Sequence, residues 1–281
     1  MDYTDDKLKN ILLEMLDKFL LICNEYNLSY TLLGGSVLGA VRHRGIIPWD
    51  DDIDIGMPRP DYDRLLSIAD DVFGERYKLV SAYNDKDYLY TFAKLYDNET
   101  TLIEFKNLFY LGGIYIDIFP LDGIPSKMAK RVHRIMKIRY AATNLFLAKY
   151  SSKYKKSHYL KYLAYKIIFR TPNNALKICD KLSRKYPYAE QYDIVNYSGA
   201  WEEKEISDYS WFNPLIEYTF EGRKVWGPNN YDAYLTKLYG NYMIPPPLEK
   251  RKSHHSHYFM DLTRRYTLEE IREIIINNNK N

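Results

Sequence analysis

Leu33-Gly-Gly-Ser-Val-Leu-Gly-Ala-Val-Arg-His-Arg-Gly-Ile-Ile-Pro-Trp-Asp-Asp-Asp-Ile-Asp-Ile-Gly56 is the stretch on which the reading of this 281-residue chain turns. It enters from Ser29-Tyr-Thr-Leu-Leu33, a run of strand formers stopped by Gly34, Gly35 and Ser36, and continues into a small helical piece, Val37 to Arg42. At its far end Asp52-Ile-Asp-Ile-Gly-Met57 alternates polar and apolar residues as a half-buried strand does. Side chains two apart on a strand share a face, so Asp52 and Asp54 project together while Ile53 and Ile55 turn inward. Two carboxylates side by side repel unless a cation lies between them. An all-oxygen set favours a hard divalent ion such as magnesium, which commonly takes one or two carboxylates plus substrate phosphates. The glycine corner supplies the complementary half: it lets backbone approach a phosphate, and the helix start behind it offers unpaired N–H groups. The plain alternative for the acidic cluster, a solvated turn, fits the isoleucine alternation poorly. Asp50 and Asp51 read as turn or supporting residues.

Working outward, Gly113 to Phe119 is another alternating strand, in which Asp117 faces away from Ile116 and Ile118. Beside the first strand it brings a third carboxylate to the same ion, an arrangement suited to phosphoryl transfer. A strand-edge carboxylate with no such role is the competing reading of Asp117. Apolar spacing from Leu8 to Cys23 predicts an amphipathic helix over residues 4–27, and Asp61 to Val72 a second. Further strands are expected at Tyr77 to Ala82, Tyr90 to Tyr96 and Thr100 to Phe105. Beyond Pro125 the pattern turns helical, at Lys127 to Lys149, His158 to Phe169 and Ala175 to Tyr186. The segment from Gln191 to Asn230 resists assignment. Helices follow at Tyr231 to Tyr239 and Thr267 to Asn277, with Thr267 and Glu270 in capping-box positions. The expected fold class is α+β: a catalytic domain over residues 1–125 with a mixed sheet flanked by helices, then a mainly helical region, 126–281, completing a donor and acceptor cleft.

The charge balance narrows the partners. Forty basic against 37 acidic residues leave a net charge of +3, too little overall field for nucleic acid to be the expected partner. Basic runs at Lys127 to Arg134 and around Lys153 to Lys161 read as solvated helix faces, the first also as a surface able to lie along an anionic membrane. Cys23 and Cys179, each within an apolar helical pattern, read as small core residues. The acidic start Met1 to Asp6 lacks signal-peptide character and no window has a spanning length of apolar residues, so a cytoplasmic location is expected.

The quoted segment closely resembles the signature of the LicD family of phosphotransferases, a branch of the nucleotidyltransferase superfamily that includes fukutin-related proteins. Phe92 to Thr101, Tyr115-Ile-Asp-Ile-Phe-Pro-Leu-Asp-Gly123, Tyr239-Gly-Asn-Tyr-Met243 and His254-His255 extend the resemblance. It implies a nucleotidyltransferase-like fold and transfer of a phospho-alcohol, typically phosphocholine, from a CDP-alcohol such as CDP-choline. The acceptor is a sugar hydroxyl of a glycan or lipid-linked precursor of teichoic acid, lipopolysaccharide or capsule, and CMP is released. On this resemblance Asp52, Asp54 and Asp117 hold Mg2+, with Mn2+ as a substitute, while Gly34, Gly35 and Ser36 meet donor phosphate. Arg42, Trp49 and Lys94 are further substrate contacts; for Arg42 a helix C-terminal cation complementing the dipole is an equal reading. His254 and His255 are expected to meet donor or acceptor, because His254, His255 and His257 lack the carboxylate or cysteine that would complete a zinc set. The 29 tyrosines do not identify the alcohol. Two other readings stay open: nucleotidyl transfer from a nucleoside triphosphate to a small hydroxylated acceptor, and a non-catalytic binding protein. Whether Asp117 is general base, metal ligand or both is likewise open.

Overall fold

The computed structural model describes residues 3–104, 110–150, 159–253, 255 and 257–278. Helix α1 (Tyr3–Glu25) buries Leu12, Met15, Leu16 and Phe19, the stripe that the three-to-four spacing sets on one side. Each such side chain, fully removed from water, contributes about 1.5–3 kcal/mol. That stripe lies against a sheet of β1 (Thr31–Leu32), β2 (Asp54–Pro58), β3 (Tyr77–Val80), β4 (Ala93–Asp97) and β6 (Tyr115–Ile124), in the order β1-β2-β6-β4-β3. Helices α2 (Gly34–His43) and α3 (Arg59–Val72) follow β1 and β2.

β6 is the axis of the molecule, with all ten residues buried. Its first half pairs with β4 antiparallel and with β2 parallel, and Asp54 stands opposite Asp117. Pro120, which has no N–H to give, falls between the residues paired with β4 and those paired with β7 (Asp193–Val195). β8 (Ile206–Ser207) extends the sheet from β7. Strand β5 (Thr101–Ile103) pairs instead with β11 (Phe259–Asp261), and β9 (Ile216–Phe220) forms a hairpin with β10 (Arg223–Gly227).

The helical run after Pro125 appears as α4 (Lys130–Tyr150), α5 (Tyr159–Phe169) and α6 (Pro172–Ser183), followed later by α7 (Tyr231–Tyr239) and α8 (Leu268–Asn278). Thr267 and Glu270 form the reciprocal capping box at α8, at 2.7 and 3.2 Å. Besides these helices, the region beyond residue 125 carries the five short strands β7 to β11, and β7 and β11 pair with strands from before Pro125. Pairing of this kind is set by distant partners, so local pattern leaves no mark of it. Parts of two expected elements, Phe105 and His158, lie outside the described residues.

An ion-pair network ties α3, β6 and α6 together. Buried Arg59 donates Nε to Asp122 Oδ1 at 2.8 Å, its Nη2 pairs with the other Asp122 oxygen, and its Nη1 reaches Asp180 Oδ1 at 2.9 Å. Asp180 in turn accepts from Arg184 Nε at 2.6 Å and from the Tyr83 hydroxyl. Paired in this way the buried charges are compensated, and removing one partner leaves the rest exposed to low dielectric.

Candidate active site

The carboxylates converge because β2 and β6 run parallel in the register that sets Asp54 beside Asp117, while Asp52 lies two residues ahead on the same face. The Asp117 N–H donates to the Ile53 carbonyl at 3.0 Å, fixing that register just before β2 begins. One oxygen from each of Asp52, Asp54 and Asp117 lies within 4.8 Å of the others. Burial raises all three acids; repulsion from Asp50 and Asp117 raises Asp52 further, and repulsion from Asp52 and Asp117 raises Asp54. Asp117 is pushed to about 6: burial and Glu104 raise it while Lys94 opposes them. A pocket that pushes three carboxyls toward their neutral form is one that a divalent cation relieves.

The glycine corner abuts this cluster. Gly34 has φ +47°, and a Cβ there would stand 3.3 Å from Asp54 Oδ2; a Cβ on Gly35 would come within 2.9 Å of Asp50 Oδ2. The absent side chains leave the space in front of the acids open. Gly34 N donates to the Tyr234 hydroxyl at 2.9 Å. Ser36 is buried, and its hydroxyl accepts the Asp54 N–H at 2.8 Å, so it locks the head of β2 onto the first turn of α2.

Lys94 is almost fully enclosed. Its Nζ lies 3.3 Å from Asp117 Oδ1, 3.4 Å from Glu104 Oε1 and 3.1 Å from the centre of the Tyr115 ring, with the Tyr90 ring 4.6 Å away. It compensates Asp117 from beneath, as a fixed cation in an aromatic box. Arg42 and Trp49 lie outside the lining of the carboxylate cleft. Arg42 Nη1 donates to the Tyr242 carbonyl at 2.7 Å, and the Arg42 and Arg251 guanidinium groups sit 5.7 and 5.2 Å from the centre of the Trp49 ring. Trp49 lines a neighbouring cavity of about 400 Å³ that also includes Asp50 and Asp51.

His254 lies outside the described residues. His255 bridges two acids, with Nδ1 2.9 Å from Asp51 Oδ1 and Nε2 3.4 Å from Asp52 Oδ2, and His257 Nε2 sits 2.9 Å from Asp51 Oδ2. The bond to Asp51, with Asp52 adding to it, raises His255 to about 9 against the opposing effect of burial. Burial pushes Asp51 up, yet hydrogen bonds from His255, His257 and Ser253 outweigh it and hold that carboxyl well below its usual range. Asp51, Asp52 and His255 form a second group with ligand atoms within 4.8 Å.

The cleft encloses about 520 Å³. Its far wall comes from the segment that sequence patterning left unassigned and from α7: Trp201, Glu205, Tyr234 and Tyr239. The rings of Trp201 and Tyr239 meet edge to face at 5.4 Å, and Trp201 is 44% exposed. Glu205 Oε1 accepts the Trp201 N–H at 3.0 Å; burial lifts this carboxyl to about 7 against that bond. Tyr239 stands in a stretch quoted for the family resemblance, but nothing local marked it, Trp201 or Glu205 as cleft residues.

A family model described as LicD/FKTN/FKRP, nucleotidyltransferase domain, matches residues 27–150. The chain is 31% identical over 255 residues to the lipopolysaccharide cholinephosphotransferase LicD of Haemophilus influenzae, covering 87% of this chain and 93% of that protein. Shorter matches reach 52% over 42 residues with the uncharacterized protein RP689 of Rickettsia prowazekii, 15% of this chain and 16% of that one. An uncharacterized protein of Rickettsia typhi, RT0683, is 57% identical over 35 residues, 12% of this chain and 11% of its own. The likeness to the Haemophilus protein runs along most of both chains and the family model spans the glycine corner and all three acids, so the chain belongs to the LicD family of phosphotransferases.

Proposed function

We propose that this enzyme transfers phosphocholine from CDP-choline to a sugar hydroxyl of a cell-surface glycan precursor, releasing CMP, on the cytoplasmic side of the membrane. The Haemophilus relative is named for choline phosphate transfer to lipopolysaccharide. The observation that carries the reading on this chain is the aromatic part of the cleft that holds the acids. There the exposed Trp201 face, the Tyr239 ring and the Glu205 carboxyl form an aromatic corner with one acid. A quaternary ammonium, which has no N–H to donate, is held by such faces, and its charge would draw Glu205, lifted by burial to about 7, into the ionised form. Trp201 already carries a cation, the Lys204 ammonium 5.6 Å from its ring centre.

Asp52, Asp54 and Asp117 would hold Mg2+, or Mn2+ in its place; the all-oxygen donors and the raised acidities of the cluster fit a hard divalent ion. Once bound, the ion would neutralise charge on the donor diphosphate. The chain's own groups do the rest. Backbone at Gly34 and Gly35 makes room for phosphate, and Lys94 holds Asp117 in place from below. The acceptor oxygen attacks the phosphorus bearing choline, the bond to the bridging oxygen breaks, CMP departs with that electron pair, and a carboxylate of the cluster takes the hydroxyl proton. In this reading residues 1–125 supply the acids and the glycine corner, and residues 126–281 supply the aromatic wall. Chromatography of nucleotides after incubation with magnesium, CDP-choline and a glycan acceptor is expected to show CMP in step with labelled acceptor. Pyrophosphate released from CTP, with CDP-choline untouched, would instead establish nucleotidyl transfer.

A further inference from the structure

The charge of this chain is segregated to a degree that its net value of +3 conceals: the 57 residues from Gly123 to Cys179 hold 14 Lys and Arg and no Asp or Glu. The rest of the chain is therefore net acidic. This basic stretch contains α4, α5 and most of α6. On α5, at 100° per residue, Leu160, Leu163, Ala164, Ile167 and Ile168 fall on one face. That face is bare: Leu160 is 80% exposed, Leu163 36%, Ile167 80% and Ile168 65%. Lys161 and Lys166 flank it on opposite sides, both exposed. The other side of the helix turns inward, where Phe169 packs on the cluster that holds Leu176 and Tyr88. Beside α5 a cavity of about 420 Å³ is lined, among the described residues, by three cations, Lys86, Lys166 and Arg170, and one acid, Asp87, with Leu145 and Phe146 as its apolar floor.

An apolar stripe flanked by a lysine on each side is the pattern of a helix lying in the plane of a membrane interface, with its apolar side in the headgroup and acyl boundary and its cations on lipid phosphates. We propose that α5 seats the protein on an anionic phospholipid surface, with Leu160, Leu163, Ile167 and Ile168 inserted and Lys161, Lys166 and Arg170 against headgroup phosphate. A second copy pairing through this same face is a poor occupant, since it would bring the same excess of positive charge against itself. Nucleic acid would satisfy the lysines and leave the aliphatic stripe in water. The proposal does not depend on what the carboxylate cleft transfers.

The test is sedimentation of the full chain with vesicles of phosphatidylcholine alone and with phosphatidylglycerol added. Binding is expected to be at least about tenfold stronger to the anionic vesicles and to weaken with salt. L160S/I167S is expected to abolish most of it, and K161E/K166E to reduce it by at least about 25-fold, from about fivefold per lysine. Both variants should keep the wild-type melting temperature and the CMP release measured without vesicles, because the changed side chains are exposed and away from the cleft. Equal or absent binding to the two vesicle types overturns the proposal. So does wild-type self-association that L160S/I167S abolishes, which would make a second copy the occupant. Retention on RNA that survives L160S/I167S but not K161E/K166E, without vesicle binding, overturns it in favour of a polyanion.

Discussion

Replacing Asp54 with Asn keeps the shape of the head of β2 and removes one of three mutually repelling charges. With an effective dielectric of about 20, two unit charges no more than 4.8 Å apart repel by about 3.5 kcal/mol or more. Proton uptake already relieves part of this, so a net gain of about 2 kcal/mol at neutral pH is expected for Asp54→Asn in the absence of divalent ions. For a chain of this length that corresponds to a rise in Tm of about 3–4 °C. The pH dependence has a definite sign. Asp117 is raised from its ordinary 3.8 to about 6, so the folded chain binds more protons than the unfolded one between those values, and stability falls as pH rises through that window. This one group accounts for a loss of about 3 kcal/mol by neutral pH. His255, raised to about 9, contributes stability that is complete below its ordinary 6.5 and is lost as pH rises from there through 9, above that window. The assay is thermal unfolding at about pH 4 and about pH 7, with EDTA or millimolar MgCl2, of wild type and Asp54→Asn. Wild type should gain stability from magnesium and the variant little or none, with turnover abolished. An Asp54→Asn protein that melts well below wild type in EDTA would make Asp54 a structural partner and refute the reasoning.

Three other substitutions probe separate parts of the account. Lys94→Met strands Asp117 and Glu104 without their cation and should cost about 3–5 kcal/mol in urea unfolding at neutral pH, with a smaller loss near pH 5 where protonation replaces the missing charge. Arg59→Ala leaves Asp122 and Asp180 buried without their shared guanidinium, and a comparable loss of about 3–5 kcal/mol is expected by the same measurement, the cleft chemistry being recoverable at low temperature. Trp201→Ala should raise KM for CDP-choline by about tenfold, as losing one aromatic face from around a desolvated cation implies, with little change in KM for the acceptor. Steady-state kinetics with each substrate varied in turn separates the two.

The acids and the glycine corner were legible because each rests on a local rule. Alternation puts Asp52 and Asp54 on one face, and the isoleucines around Asp117 mark a strand whatever its neighbours are. That the two strands run parallel with Asp54 opposite Asp117 depends on long-range pairing; the family resemblance implied only that the three acids share an ion, and the direction and register had no mark in the sequence. The histidine run shows the limit of composition. It contains His255 and His257, which clamp Asp51 and Asp52; Asp51 read as a turn or supporting residue, and the partners it supports could not be named because they lie over 200 positions away. Arg42 carries the ambiguity it had in sequence: its guanidinium is bonded to the Tyr242 carbonyl rather than free in the cleft. The aromatic wall was illegible for a different reason. Trp201 and Glu205 sit in short turns whose side chains follow neither a helical nor a strand period, so only the tertiary fold brings them into the cleft that holds the acids.

The proposed chemistry needs a divalent ion, and among the described residues two groups could hold it: Asp52 with Asp54 and Asp117, or Asp52 with Asp51 and His255. Anomalous diffraction from crystals grown with Mn2+ and CDP-choline decides between them. The account predicts a manganese peak within coordinating distance of Asp52, Asp54 and Asp117, with the donor diphosphate against Gly34 and Gly35. A peak held by Asp51 and His255, with Asp117 left on Lys94 alone, would contradict it.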